Sequence, residues 1–190
     1  MQGARVHAVR TVARVLAGVG LAPVLVLVAC SHHYVPTAKM AELKVGESLL
    51  DGEAASVSLE NAQSDSAGES IFFRQGAHKY FTDYYLWTET AIQALEKQLE
   101  AHGVRVGSGS RNKVLVRVPK IAFTGGGWAG HTTMVLVLER KDGAWSKTYR
   151  TTNAVGWDWN QSFRSTLKRA VDEVLNDPEF VNAIRDRQSP

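Results

Sequence analysis

Hydrophobic residues recur along this chain at two periods. Tyr85, Thr88, Ile92, Leu95 and Leu99, with Ala91 beside them, fall at spacings of three and four, which lays one face along a helix. Thr82 or Asp83 can cap its start. His102 lies in its last turn, and Gly103 suits the left-handed position that ends a helix. Phe163, Leu167, Ala170, Val171 and Val174 predict a second helix, starting after Asp158 or Asn160 and ending at Asn176. Asp177-Pro178-Glu179 restarts a short helix that Phe180 and Ile184 can fold back.

Between and before the helices the period drops to two. Short strands are expected over 55–59 and 70–74, with a loop over 61–70 and a break at Gln75-Gly76. Val104 and Val106 lead through a GSGSRN turn to a long strand over 113–123. Pro119 marks that strand as an edge or a bulge. Thr124–Gly130 reads as a glycine-rich loop around Trp128. The next strand, 132–140, is apolar on both faces, as a central strand would be. Lys141-Asp142-Gly143 turns the chain into a third strand over 145–152, with Trp145, Lys147 and Tyr149 on one face. Two amphipathic helices need a sheet face to cover. The expected fold is therefore α+β, a two-layer sandwich of about four antiparallel strands under two helices, over residues 45–190.

The N-terminus follows neither period. Residues 1–14 hold Arg5, Arg10 and Arg14 and no acid, and Val15–Ala29 is uncharged. This is the form of an export signal, too short and too interrupted by Pro23 and glycine for a spanning helix. Leu27-Val28-Ala29-Cys30 resembles the lipobox of bacterial lipoproteins. The resemblance implies cleavage before Cys30, lipid on its thiol and acylation of its new amine. Ser31 after the Cys implies outer-membrane sorting, on the periplasmic face. Residues 1–29 are then the signal and 30–44 a lipidated tether. The order of elements over 55–176 also resembles small periplasmic lipoproteins, such as the lipopolysaccharide-assembly lipoprotein and the auxiliary lipoproteins of ABC transporters. That likeness is one of pattern alone and carries no residue besides Cys30.

Export changes the meaning of charge. The whole chain carries +3, from 22 bases against 19 acids. Removing the three signal arginines leaves 19 bases against 19 acids, a neutral mature chain. The remaining charge is segregated. Between Lys44 and Arg74 lie six acids and no base, and between Glu100 and Glu139 lie Arg105, Arg111, Lys113, Arg117 and Lys120 and no acid. Alternation places Arg111, Lys113 and Arg117 on one face of their strand and Val114, Val116 and Val118 on the other. The basic row either receives the acidic segment from within the chain or meets an anionic lipid or glycan. Trp128, Trp157 and Trp159 either close the end of the core or form an aromatic patch.

Catalytic spacing is missing. There is no HExxH, no GxSxG and no phosphate loop, since Thr124–Trp128 lacks the Gly-Lys-Ser/Thr that would follow. His32-His33 reads as part of a solvated linker. One Cys excludes an internal disulfide and a cysteine zinc site. No cofactor or metal is expected, and nucleic acid does not fit an exported chain. The expected function is a non-enzymatic assembly or transport accessory, held to the membrane by lipid and working on an envelope protein partner. The alternatives are an envelope-binding module for lipopolysaccharide or peptidoglycan using the basic strand, and a hydrolase with a dispersed site.

Overall fold

A computed structural model describes residues 30–44, 46–50, 55–65, 68–126, 129–155 and 158–185. In chain order the elements are β1 (Ser31–Tyr34), a 3-10 turn (Ala38–Ala41), β2 (Ser56–Asn61), β3 (Glu69–Gln75), β4 (His78–Asp83), α1 (Tyr84–Ala101), β5 (Arg105–Val106), β6 (Lys113–Gly126), β7 (Ala129–Arg140), β8 (Ser146–Val155), α2 (Trp159–Leu175) and α3 (Pro178–Ile184). The fold is α+β, but it holds two sheets where one was expected. The larger runs β5-β2-β6-β7-β8 and the smaller β1-β4-β3.

Only β6, β7 and β8 form the expected antiparallel meander. β2 lies parallel to both β5 and β6. The reason is connectivity: the chain leaves β2, makes the β3–β4 hairpin, and returns through α1, a crossover long enough for parallel pairing. β4 is a strand the sequence pattern does not announce. Its face alternates only weakly, and it is held by pairing with β1 and β3.

Helix starts obey local rules. Asp83 accepts from the Tyr85 N–H at 2.7 Å, Asp158 from Asn160 at 3.0 Å, and Asp177 from Glu179 at 3.0 Å. After α1, Gly103 adopts φ +83°, where a side chain would be strained. Trp87 on α1, outside the predicted stripe, is fully buried. The stripes themselves are largely buried: Tyr85 is half-buried, whereas Thr88, Ala91, Leu95 and Leu99 on α1, and Phe163, Leu167, Ala170, Val171 and Val174 on α2, are fully covered. They rest on the inner face of the larger sheet, where Val114, Val116 and Val118 meet them as alternation requires. Burying such a side chain contributes about 1.5–3 kcal/mol.

Pro119 marks a bulge, where the β6–β7 register shifts between Arg117 and Lys120. The expected loop over Thr124–Gly130 is instead mostly strand, with Gly125 opposite Gly130 and Gly126 opposite Ala129. The glycines are there for packing. A Cβ on Gly130 would meet the Phe123 ring at 2.2 Å, and one on Gly125 would meet it at 2.9 Å.

Residues 31–44 are not a tether over the part described. Ser31–Tyr34 pair in parallel with Lys79–Thr82. Met40, Ala41 and Leu43 are buried, and Gln98 donates to the Leu43 carbonyl at 2.7 Å. A four-residue strand is too short to show a period, so its role comes from β4. Among the described residues no helix is long and apolar enough to cross a membrane.

Candidate functional site

The β6 strand joins two unlike ends of the molecule. It spans 14 residues, on the order of 40 Å at ~3.3 Å per residue. At its Gly126 end the smaller sheet packs against the larger one through rings. Phe73 meets Phe123 edge-on at 5.0 Å, and Trp159 lies 4.7 Å from Tyr80 and 5.5 Å from both Phe73 and Phe123. Trp159 therefore closes the core and does not offer an open patch. Trp128 and Trp157 lie outside the described residues.

Cys30 enters at this aromatic end. It is exposed and in no disulfide. Its carbonyl accepts from the Lys79 N–H at 3.0 Å, so the chain is paired into a sheet from its first residue after Cys30. His32 and His33 point to opposite faces of β1. His32 Nε2 lies 3.0 Å from His78 Nδ1, and His33 Nδ1 lies 2.7 Å from Glu69. Neither belongs to a linker, and among the described residues no group of three metal-binding side chains forms.

At the Lys113 end the basic row divides. Lys113 is exposed but lies 3.6 Å from Glu60, which also receives Lys141 at 2.6 Å. The hydrogen bond from Lys141, with the charges of Lys141 and Lys113, holds the Glu60 carboxyl below its ordinary range. Arg117 lies 3.7 Å from Glu139 across the strand pair. Both are thus answered from within the chain, one of them by a residue of the acidic segment. Arg111 is different. It stands before β6 in the turn that follows β5, and no hydrogen-bond or ion-pair partner reaches it among the described residues.

Arg111 faces a cleft of about 720 Å³ whose wall also holds Arg105, Arg140 and Arg185. Four separated segments bring these arginines to one cleft: β5, the 107–112 turn, the end of β7, and the residue after α3. The turn is held by Asn112, whose side-chain N–H groups donate to the carbonyls of Ser56 at 3.0 Å and Ile184 at 2.9 Å. Ser110 Oγ donates to Ser56 Oγ at 3.2 Å. Arg140 grips Asp142 with two bonds, 2.6 and 3.2 Å, and donates to the Ala183 carbonyl at 3.3 Å. Backbone bonds and that fork hold Asp142 below the ordinary carboxylate range, the largest cause being the Ala144 N–H. Sequence reading named Arg111 and counted Arg105 among the bases, but missed Arg140 and Arg185. Nothing local marks them, because only the tertiary fold assembles this wall.

One further polar network fixes α3 and, through it, the Arg185 side of the cleft. Asp177 is nearly buried and accepts from Tyr149 at 2.5 Å and Lys147 at 3.0 Å. Burial would raise its carboxyl, but these hydrogen bonds outweigh burial and hold it below its ordinary value. The Asp177 hydrogen bond raises Lys147, and burial chiefly raises Tyr149.

No family model and no curated protein matches the chain. Among solved structures, a Xanthomonas campestris protein of the family model DUF330 aligns at TM-score 0.49 and 11% identity, covering 80% of this chain and 94% of that one. A dodecamer of a PelC variant from Paraburkholderia phytofirmans aligns at TM-score 0.33 and 19% identity, covering 70% and 94%. Neither carries a residue role over to this chain.

Proposed function

We propose that the protein is an outer-membrane lipoprotein facing the periplasm, anchored through Cys30, and a non-enzymatic accessory in assembly or transport through protein contacts. The carrying observation is Cys30 itself: the chain's one cysteine, exposed, following Leu27-Val28-Ala29 and standing at the threshold of the folded domain. Acyl chains on that thiol and amine together hold a protein at a bilayer, where one chain alone binds weakly. Because β1 begins at Ser31, such an anchor leaves little slack. The smaller sheet then sits at the membrane, and the arginine cleft lies away from it.

The test is acyl labelling in whole cells followed by membrane fractionation. The wild-type chain should take up a labelled fatty acid and sediment with the outer membrane. Cys30→Ala should do neither, while keeping the same urea midpoint. Continued labelling of Cys30→Ala would overturn the anchor. Crosslinking of the anchored protein should return one defined envelope complex, and free monomer alone would count against the accessory role.

A further inference from the structure

We infer that the cleft between β5, the 107–112 turn, the β7–β8 turn and the end of α3 binds a ligand through its phosphate groups. The inference does not depend on the lipid anchor.

Its basis is the character of the wall. Arg105, Arg111, Arg140 and Arg185 line one concave space of about 720 Å³, within the range of small-molecule sites. Guanidinium groups stay protonated at any physiological pH and present flat forks of donors. Among the described residues Asp142 is the one carboxylate on the wall; it occupies the fork of Arg140, and of the four arginines it is Arg111 on which the site turns. The wall adds the hydroxyl groups of Ser56 and Ser110, bonded to each other, with Ser110 Oγ also accepting from the Asn112 N–H. Gly107 and Gly109 leave the turn's backbone open, since nothing lies within 4 Å of where a Cβ would stand.

Phosphate fits this better than carboxylate. A carboxylate offers two oxygens in one plane, which one arginine fork satisfies. A phosphate presents charged oxygens in several directions, and the arginines on this wall come from four segments. The space also exceeds a single phosphate, so a ligand with two phosphates, or one carried on a larger body, uses it best. Lys113 and Arg117 do not line this cleft; they face Glu60 and Glu139 on the outer sheet face.

The experiment is calorimetric titration of the full-length protein, in detergent at 0.15 M salt, with inorganic pyrophosphate. Arg111→Ala should weaken binding at least tenfold, and Arg111→Lys should recover only part, because a point charge lacks the fork. Arg117→Ala, on the same strand region, should change it less than twofold. Near-UV circular dichroism checks that each variant keeps its packing, and Arg105→Gln offers a second route should Arg111→Ala lose it. A parallel titration with lipid A micelles separates the sources. Competition between the two ligands assigns a lipid headgroup phosphate, and pyrophosphate binding alone assigns a soluble one. No pyrophosphate binding, or equal losses in Arg111→Ala and Arg117→Ala, would overturn the site. So would tighter binding of an acidic peptide than of pyrophosphate.

Discussion

At the Gly126 end of β6, Phe73, Phe123 and Trp159 touch ring to ring, with Phe73 and Phe123 buried. At the Lys113 end, arginines from four segments line an open cleft. Both ends draw on residues far apart in sequence, yet they differ in what holds them. Rings in contact contribute through buried area and add about 0.5–1.5 kcal/mol per well-placed pair. The segments that carry the arginines are kept in place by a scaffold, here Asn112, the Arg140–Asp142 fork and the Asp177 network. The first arrangement stabilises the fold. The second is held by stability generated elsewhere, as binding sites commonly are.

The comparison breaks most readily at Phe123, where the largest effect is expected. Phe123→Ala should cost about 3–5 kcal/mol in urea unfolding, as its ring is nearly buried. Gly130→Ala should cost about 1–3 kcal/mol, because its Cβ would lie 2.2 Å from that ring. Combined with Phe123→Ala, the Gly130→Ala penalty should largely vanish, since the obstruction is gone. Simple additivity of the two losses would mean that the glycine serves the turn and not the ring.

These glycines also show where sequence reading stops. A run of Thr-Gly-Gly-Gly looks like a loop because glycine lacks a side chain to reveal a period. Here the strand continues through Gly125 to Gly126, and Gly125 and Gly130 make room for Phe123. The helices were legible because each carries its own caps and its own stripe, so local chemistry and burial agree. The inner valines of β6 were legible for the same reason. β1 and β4 were not, being short and defined by pairing, β1 with β4 and β4 with β3 as well. Arg111 was found by counting charge, whereas Arg140 and Arg185 belong to the cleft solely through chain topology. The parallel placement of β2 was hidden too, since pairing direction follows from the α1 crossover and not from the strand's residues.

Asp177 gives an intermediate effect and a pH dependence of known sign. Asp177→Asn should lower stability by about 1–2 kcal/mol at pH 7, as the hydrogen bonds from Tyr149 and Lys147 lose their charged acceptor. The folded carboxyl titrates below its unfolded value of 3.8. Its contribution is therefore fully present above about pH 4 and is lost as pH falls through the lower folded value. Lys147 is raised above 10.5, so its contribution holds below that pH and is lost as pH rises through the raised value. In urea melts the gap between wild type and Asp177→Asn should thus stay constant from pH 5 to 9 and narrow toward pH 2. A gap that widens in acid would show that the network is not held by the ionised carboxylate.

The smallest effect is expected on the outer face of the larger sheet, and it tests whether the basic row is structural at all. Arg117 and Glu139 stand 3.7 Å apart with both side chains substantially exposed. Exposed pairs of this kind contribute between zero and about 1 kcal/mol, offset by the entropy of holding two long side chains. Arg117→Ala should shift stability by no more than about 0.5 kcal/mol, and the shift should disappear in 1 M salt, where charges are screened within about 3 Å. Arg111→Ala, which breaks no pair among the described residues, should likewise leave unfolding almost unchanged. The two variants then look alike in a stability assay and separate only in the phosphate titration. That pattern would tell a solvated row from a binding wall, which neither the charge count nor the alternation of β6 can do.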